Sequence, residues 1–405
     1  MLGERIDLTC GVASYDRFGR AHVVTGPVEV VGQPVPERRA AQATGSRART
    51  SLNAWAPSVK ATARRHHYNL PMSALEASVD LLASQSAFSG VVRVDRDGEI
   101  LVAKAYGLAH RACHVPNTTE TQFGIASATK GLTALTVVSL VDDGAVDLNT
   151  TARSVLGDDL PLIAEDVTVE DLLTHRSGIG DHVDEEAEGY DVNDYILPVG
   201  AHEVATSEEY LRVLDGHPTQ FAAGERFSYC NSGYVVLALI AERVGGLPFH
   251  ELVEQRVCRP AGMRRTAFLR SDELPGGAAV GYLHTEGDRS NVFHLPVRGS
   301  GDGGAYATAA DLTALWTALF AGAIVPAEWV AEMVRPHSDV PTEPERYGLG
   351  FWLDATGDRV MLEGLDAGVS CRSVYDPVTR TTSTVLSNTT EGAWPMTRRL
   401  DEHLG

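Results

Sequence analysis

Apolar and polar positions follow two different periods along this chain, and the switches between them outline its elements. Ser73-Ala-Leu-Glu76 pairs an N-cap serine with a glutamate three residues on, opening an amphipathic helix that runs to about Ser84. Two β-branched runs, Gly90 to Val94 and Glu99 to Tyr106, flank Asp95-Arg-Asp-Gly98 and predict a hairpin. Helical spacing returns over 127–143 and 233–256, separated by polar, Gly- and Asp-rich connections around 177–205. Strand signals come back only near the end: Arg359-Val-Met-Leu, Gly368 to Tyr375, a turn at Asp376-Pro-Val-Thr379, and Thr381 to Ser387. A terminal helix is expected from about 392 to 404. Strands at both ends with helices between them predict a discontinuous α/β (α+β) domain carrying an all-helical insertion.

Residues 1–71 show neither period. They carry ten Lys/Arg against five Asp/Glu in a chain whose formal net charge is −20. We read them as a disordered or mis-assigned extension, with Met72 as a candidate start of translation and 72–405 as the folded domain. Its sheet part is expected over about 72–125 and 290–405, and its helical part over about 126–289. The acidic balance argues against binding to nucleic acid or to an anionic membrane. No run of about 18 or more apolar residues and no export signal is present. The five cysteines, Cys10, Cys113, Cys230, Cys258 and Cys371, form no CxxC pair and signal neither a disulfide framework nor a zinc site. A cytoplasmic protein is the expectation.

Only three of the 34 Lys/Arg residues are lysines, at 60, 104 and 130. Arginine does not lose its proton inside a protein, whereas a lysine can be driven to the neutral amine, so a chain that needs a base must keep one. Lys130 stands three residues after Ser127 in Phe123-Gly-Ile-Ala-Ser-Ala-Thr-Lys130. Ser127 opens a helical run, and Lys130 lies one turn on and on the same face. A neutral Lys130 can take the Ser127 proton as the hydroxyl attacks a carbonyl, while the Ser127 N–H helps to hold the oxyanion. Taken alone, Ser-x-x-Lys more often marks a solvated helix face.

The order of further segments changes that balance, because the chain resembles the serine β-lactamase-related family of class C β-lactamases, DD-peptidases and related esterases over about 89–395. Thr168-Val-Glu-Asp-Leu-Leu-Thr-His175-Arg-Ser-Gly178 is similar to a family segment that shapes a loop beside the cleft, which implies an architectural role for His175. Tyr229-Cys-Asn231 looks like the family's Tyr-x-Asn motif. The resemblance implies a β-lactamase/transpeptidase-like fold, an antiparallel sheet flanked by helices. It also implies catalysis by Ser127, Lys130 and Tyr229, with Lys130 and Tyr229 as coupled candidates for the base. Asn231 would donate to a substrate carbonyl and accept from Lys130. Gly303-Gly304 is expected to allow close backbone approach at the cleft edge.

The family's third motif, Lys or His, any residue, then Gly, is met here by Leu362-Glu363-Gly364. Strand alternation turns Leu362 toward the cleft and Glu363 away, so the expected cation is missing there. Arg372 is a candidate replacement, although an exposed strand arginine is the commoner reading. Gly364 and Leu365 are the substrate-binding positions the resemblance implies, the Leu365 N–H as second oxyanion donor. Penicillins and peptidoglycan stems carry a carboxylate that the missing cation would bind. The expectation is therefore an esterase or amidase acting on small neutral acyl substrates through a Ser127 acyl-enzyme, with no metal and no cofactor. Alternatives are an acyltransferase using the same residues, a β-lactamase or DD-peptidase, and a non-catalytic ligand-binding relative. A metal hydrolase on His175, Asp181, His182 and Asp184 matches no ligand spacing.

Overall fold

The computed structural model describes residues 13–15, 21–23, 72–183, 185, 189–341 and 344–404. The chain divides into two compact units, 1–69 and 70–405. In the first, Ala13–Tyr15 pairs antiparallel with Ala21–Val23.

The second unit is built on an eight-stranded antiparallel sheet. Its strands are β1 (Gly90–Arg96), β2 (Glu99–Tyr106), β3 (Ser338–Asp339), β4 (Arg346–Tyr347), β5 (Trp352–Leu353), β6 (Val360–Asp366), β7 (Val369–Asp376) and β8 (Thr381–Ser387), in the order β2-β1-β8-β7-β6-β5-β4-β3. The β1–β2 hairpin turns at Asp97 and Gly98, both at positive φ (53° and 82°), as a type I′ turn demands. Strands β6, β7 and β8 form the expected meander. The two-residue strands β3, β4 and β5 carry no period long enough to read.

Alternation divides the sheet into two faces. On one, Val92, Val94, Val102 and Val385 pack under helices α1 (Met72–Gln85) and α5 (Ala393–Leu404) through Leu75, Val79, Met396 and Leu400. Helix α1 begins at Met72, so Ser73 lies inside the first turn rather than ahead of it, a shift of the size common at helix ends. On the other face, the cross-strand row Val91, Leu386, Cys371 ends at Gly364. That face meets α2 (Thr129–Asp142), α3 (Asn231–Gly245) and α4 (Ala309–Phe320), packed in one large core. Residues 129–140 of α2 are all buried, which explains why its sequence is apolar on every side.

Every named element between 126 and 289 is helical. The single helix expected over 233–256 is broken: α3 ends at Gly246, whose φ of 69° closes the helix, and after Pro248 the chain restarts at Phe249. No single helix among the described residues is long and apolar enough to cross a membrane.

Glu363 and Arg372 stand opposite each other on β6 and β7, on the face under α5. Arg372 is 6% exposed; its Nε lies 2.8 Å from Glu363 Oε1 and its Nη1 2.5 Å from Asp401 Oδ2. It is therefore neither an exposed strand arginine nor a replacement cation for the cleft, because alternation puts it behind the sheet. We expect Arg372→Met to lower unfolding free energy by about 3–5 kcal/mol in urea titration, since it removes the buried ion pairs with Glu363 and Asp401. The double variant Glu363→Leu/Arg372→Met should recover most of that loss. Equal instability of the single and double variants would show that the pair contributes packing rather than charge balance.

Candidate active site

Ser127 sits in a short 3-10 turn, Ala126–Ala128, immediately before α2. Ala126 is held at φ 44°, a left-handed conformation that costs energy for a residue with a side chain and tends to mark functional turns. The turn is pressed against β6. A Cβ on Gly364 would fall 2.2 Å from the Ile125 carbonyl oxygen and 2.9 Å from Ser127 N, so only glycine lets the strand reach the Ser127 backbone. The hairpin closes at Asp366 and Val369, which makes Leu365 and Ser370 a non-hydrogen-bonded pair and turns the Leu365 N–H away from β7. Strand β5 pairs with β6 only at residues 360 and 361. The Leu365 amide thus faces an edge open to the cleft.

Lys130 is 2% exposed, and its ammonium is ringed by oxygens from three segments. Nζ donates to Ser127 Oγ at 3.0 Å, to Asn231 Oδ1 at 2.8 Å and to the Asp302 carbonyl at 2.7 Å. The Tyr229 ring centroid lies 4.8 Å away and that of Tyr234 5.6 Å. Ser127, Lys130, Tyr229 and Asn231 are therefore brought together from two distant stretches of sequence. The Asn231 Nδ2 donates to Glu185 Oε1 at 2.8 Å.

The His175 segment acts on this cluster from behind. His175 is 1% exposed and its Nδ1 accepts the Cys230 N–H at 3.0 Å, while its carbonyl accepts from Ser228 N at 2.9 Å. Its ring lies against Tyr229, with centroids 4.3 Å apart, and Tyr229 stacks on Trp352 at 5.9 Å. His175 thus holds the backbone on both sides of Tyr229.

Asp181 caps α3: its two carboxylate oxygens accept from Asn231 N at 2.7 Å and Ser232 N at 2.8 Å. Burial alone would raise its pKa, but His182 and those two amides outweigh burial and hold it below the ordinary value. Burial opposes the His182 imidazolium, yet Asp181 on one side and Asp302 on the other hold its pKa up. His175 is tied into the Tyr229 cluster instead, and Asp184 lies outside the described residues. No group of three His, Cys, Asp or Glu among the described residues is placed to hold a metal ion.

Leu362 lies on the helix side of β6, as alternation requires, but it does not line the cleft. It is 2% exposed and fills the space over Gly131, where a Cβ would meet its Cδ2 at 2.4 Å. The cleft itself encloses about 1000 Å³ of empty space, solvent at its mouth included. Its walls include Ser127, Asn231, Leu365, Gly303 and Gly304. Both glycines approach Gly299 closely: a Cβ there would meet Gly303 O at 2.3 Å and Gly304 Cα at 2.6 Å, and Gly304 itself holds φ 90°.

Two acidic residues that sequence reading passed over, Asp302 and Asp366, also line the cleft. Asp302 precedes the Gly303-Gly304 pair, and Asp366 follows Gly364 by two. Nothing in their spacing separates them from surface aspartates. Burial pushes the Asp366 carboxyl up to about 7, helped by the facing Asp302 and Glu185 against Lys130 and His182. Burial likewise raises Asp302.

Comparison with known proteins places the chain among relatives of one family. The family model described as Beta-lactamase matches residues 75–404. The chain is similar to an esterase, EstB of Burkholderia gladioli, at 29% identity over 338 residues, 72% of this chain and 82% of that protein. It is also similar to a D-aminopeptidase of Brucella anthropi, at 32% identity over 248 residues, 60% of this chain and 44% of that protein. A solved penicillin-binding protein from Bacillus halodurans superposes with a TM-score of 0.75 at 31% identity, covering 80% of this chain and 99% of that one. The fold is β-lactamase/transpeptidase-like, as the sequence resemblance implied.

Two outcomes follow from the site geometry. Gly364→Ala must displace the Ser127 turn, and the rate of Ser127 labelling by a fluorophosphonate should drop about 100-fold or more; unchanged labelling would mean that the turn does not depend on β6. Asp366 binds its proton more tightly folded than unfolded, so the folded state holds the extra proton between about pH 4 and 7 and stability falls as pH rises through that window. Thermal melts should therefore show the wild type losing more Tm than Asp366→Asn between about pH 5 and pH 8. Parallel profiles would remove Asp366 as the source.

Proposed function

The chain belongs to the beta-lactamase family of serine hydrolases, and from that premise we propose that it cleaves small esters or amides through an acyl-enzyme on Ser127. The observation that carries the reading is the 3.0 Å contact between Lys130 Nζ and Ser127 Oγ, with Lys130 buried and Asn231 and the Asp302 carbonyl fixing its position.

In the resting arrangement the three oxygens around Nζ match the three N–H groups of an ammonium. With Tyr229 ionised to the phenolate beside the Lys130 ammonium, its oxygen takes one ammonium proton, and the neutral Nζ then accepts from Ser127 Oγ–H as Oγ bonds to the substrate carbonyl carbon. The carbonyl oxygen takes the negative charge and lies between the Ser127 and Leu365 N–H groups. Collapse of that intermediate breaks the ester or amide bond, and the proton passes from Lys130 and Tyr229 to the departing oxygen or nitrogen. Water then repeats the sequence on the acyl-enzyme, its proton going to the same pair, and Ser127 is released. Asn231 orients both partners, its Oδ1 on Lys130 and its Nδ2 available to the substrate once Glu185 yields it.

Leu362 supports an esterase or amidase over penicillin cleavage. The position that would bind a substrate carboxylate is an apolar side chain packed on Gly131, and the cleft carries Asp302 and Asp366 instead. Wild-type protein should hydrolyse p-nitrophenyl acetate, and Ser127→Ala should lose about 1000-fold or more in kcat/KM. Mass spectrometry should find an acyl adduct on Ser127 alone. Rapid penicillin G turnover, or undiminished ester hydrolysis by Ser127→Ala, would contradict the proposal.

A further inference from the structure

A second cavity, about 1200 Å³ of empty space with solvent at its mouth included, lies behind one wall of the cleft, and no residue lines both. The wall between them is one chain thick at two places. Phe268 and Arg298 face the second cavity, while their chain neighbours Leu269, Val297 and Gly299 face the cleft. His250 and Phe268 give the cavity an aromatic side, their ring centroids 4.5 Å apart, and Val253 and Met263 add apolar surface. Along another side the helix Phe249–Val253 runs into a π-helical turn, Glu254–Cys258, a rare form that is frequent at functional sites.

One charge in this cavity is left without a partner. Of the three arginines that line it, Arg259 pairs with Glu254 at 2.9 Å, whereas Arg264 and Arg298 form no ion pair among the described residues. Arg298 is half-buried, and its Nε donates to the Phe268 carbonyl at 2.9 Å, which leaves both Nη groups for a ligand. Burial, then Arg270, holds its pKa below the ordinary value, with Glu251 opposing them. His250 adds no charge: burial and Arg298 hold its pKa down at about 4, and its Nε2 donates to the Gly299 carbonyl at 2.8 Å.

We propose that this cavity is a second ligand site, for a small monocarboxylate with a flat apolar body, and that its occupancy is felt at Lys130 through the 299–302 backbone. The two free Nη groups of Arg298 match the two oxygens of a carboxylate. A dianion such as phosphate brings a second charge that the apolar lining and Glu251 disfavour. The body lies against His250 and Phe268. The route to the cleft is short: Arg298 precedes Gly299, whose carbonyl His250 holds, Ser300 N donates to the Gly303 carbonyl at 3.0 Å, and the Asp302 carbonyl accepts from Lys130 Nζ at 2.7 Å. A ligand that draws Arg298 or His250 toward itself pulls on the loop that fixes Lys130. The site itself stands apart from the acyl-enzyme reading.

The test titrates 3-phenylpropionate into the full chain by calorimetry, with 3-phenylpropionamide as its uncharged match and inorganic phosphate as an anion without a body. Wild type should bind the carboxylate with a Kd of about 1 mM or tighter, and the amide about tenfold or more weakly. Arg298→Gln should weaken the carboxylate about tenfold or more. Ala267→Trp, which fills the cavity from an exposed position and leaves Arg298 in place, should do the same. Equal affinity for the amide, tighter binding of phosphate, no binding up to about 10 mM, or binding undiminished in both variants would overturn the site. Saturating 3-phenylpropionate should also change kcat for p-nitrophenyl acetate about twofold or more with KM little altered, and this effect should vanish in Arg298→Gln. An unchanged kcat, or inhibition through KM alone, would overturn the route to Lys130. A protein that binds through Arg298 yet turns over no ester would overturn the acyl-enzyme reading and leave the second site standing.

Discussion

A lysine side chain buried to 2% exposure is the constraint around which this active site is organised. A charge in the protein interior must be met by oxygens at hydrogen-bond distance, and here they come from three places: the turn before α2, the start of α3 and the 299–304 loop. Each supplier is anchored in turn. Gly364 lets β6 clamp the Ser127 turn, Asp181 caps the helix that begins with Asn231, and Thr133 and Thr129 tie the loop to α2. Moving any one of them would leave Lys130 short of a partner, so the fold and the geometry of the candidate site are the same set of contacts.

Strand β6 shows how one element serves both. Its helix-facing residues are apolar or absent, Leu362 over Gly131 and Gly364 over the nucleophile's backbone. Its other face puts Glu363 against Arg372 and, through it, Asp401 of the terminal helix. A one-residue slip would exchange the two faces, placing Glu363 on the core helix and Leu362 on a buried arginine. Register is therefore strongly specified where β6 meets the Ser127 turn.

The electrostatics of the cleft follow from what is not paired. Lys130 is saturated by uncharged oxygens and His182 stands between Asp181 and Asp302, while burial outweighs both cations and holds the Asp302 and Asp366 carboxyls above their ordinary values.

Ser127 and Lys130 were legible in the sequence because they are one helical turn apart, and Tyr229 and Asn231 because a short motif holds them two residues apart. The meander and the β1–β2 hairpin were legible too, since period 2 and an Asp-Gly turn are local signals. The break at Gly246 was not weighed against the apolar run around it, although a left-handed glycine followed by proline is a local stop. The hold of His175 on Cys230 N could not be read from spacing, and neither could the burial of Arg372 or the shared cleft of Asp302 and Asp366. Patterns along the chain thus determined which segments form the sheet and pointed to Ser127, Lys130, Tyr229 and Asn231 as the candidate site. Which charges share the cleft depended on contacts between residues as far apart as 302 and 366, and only packing in three dimensions decides those.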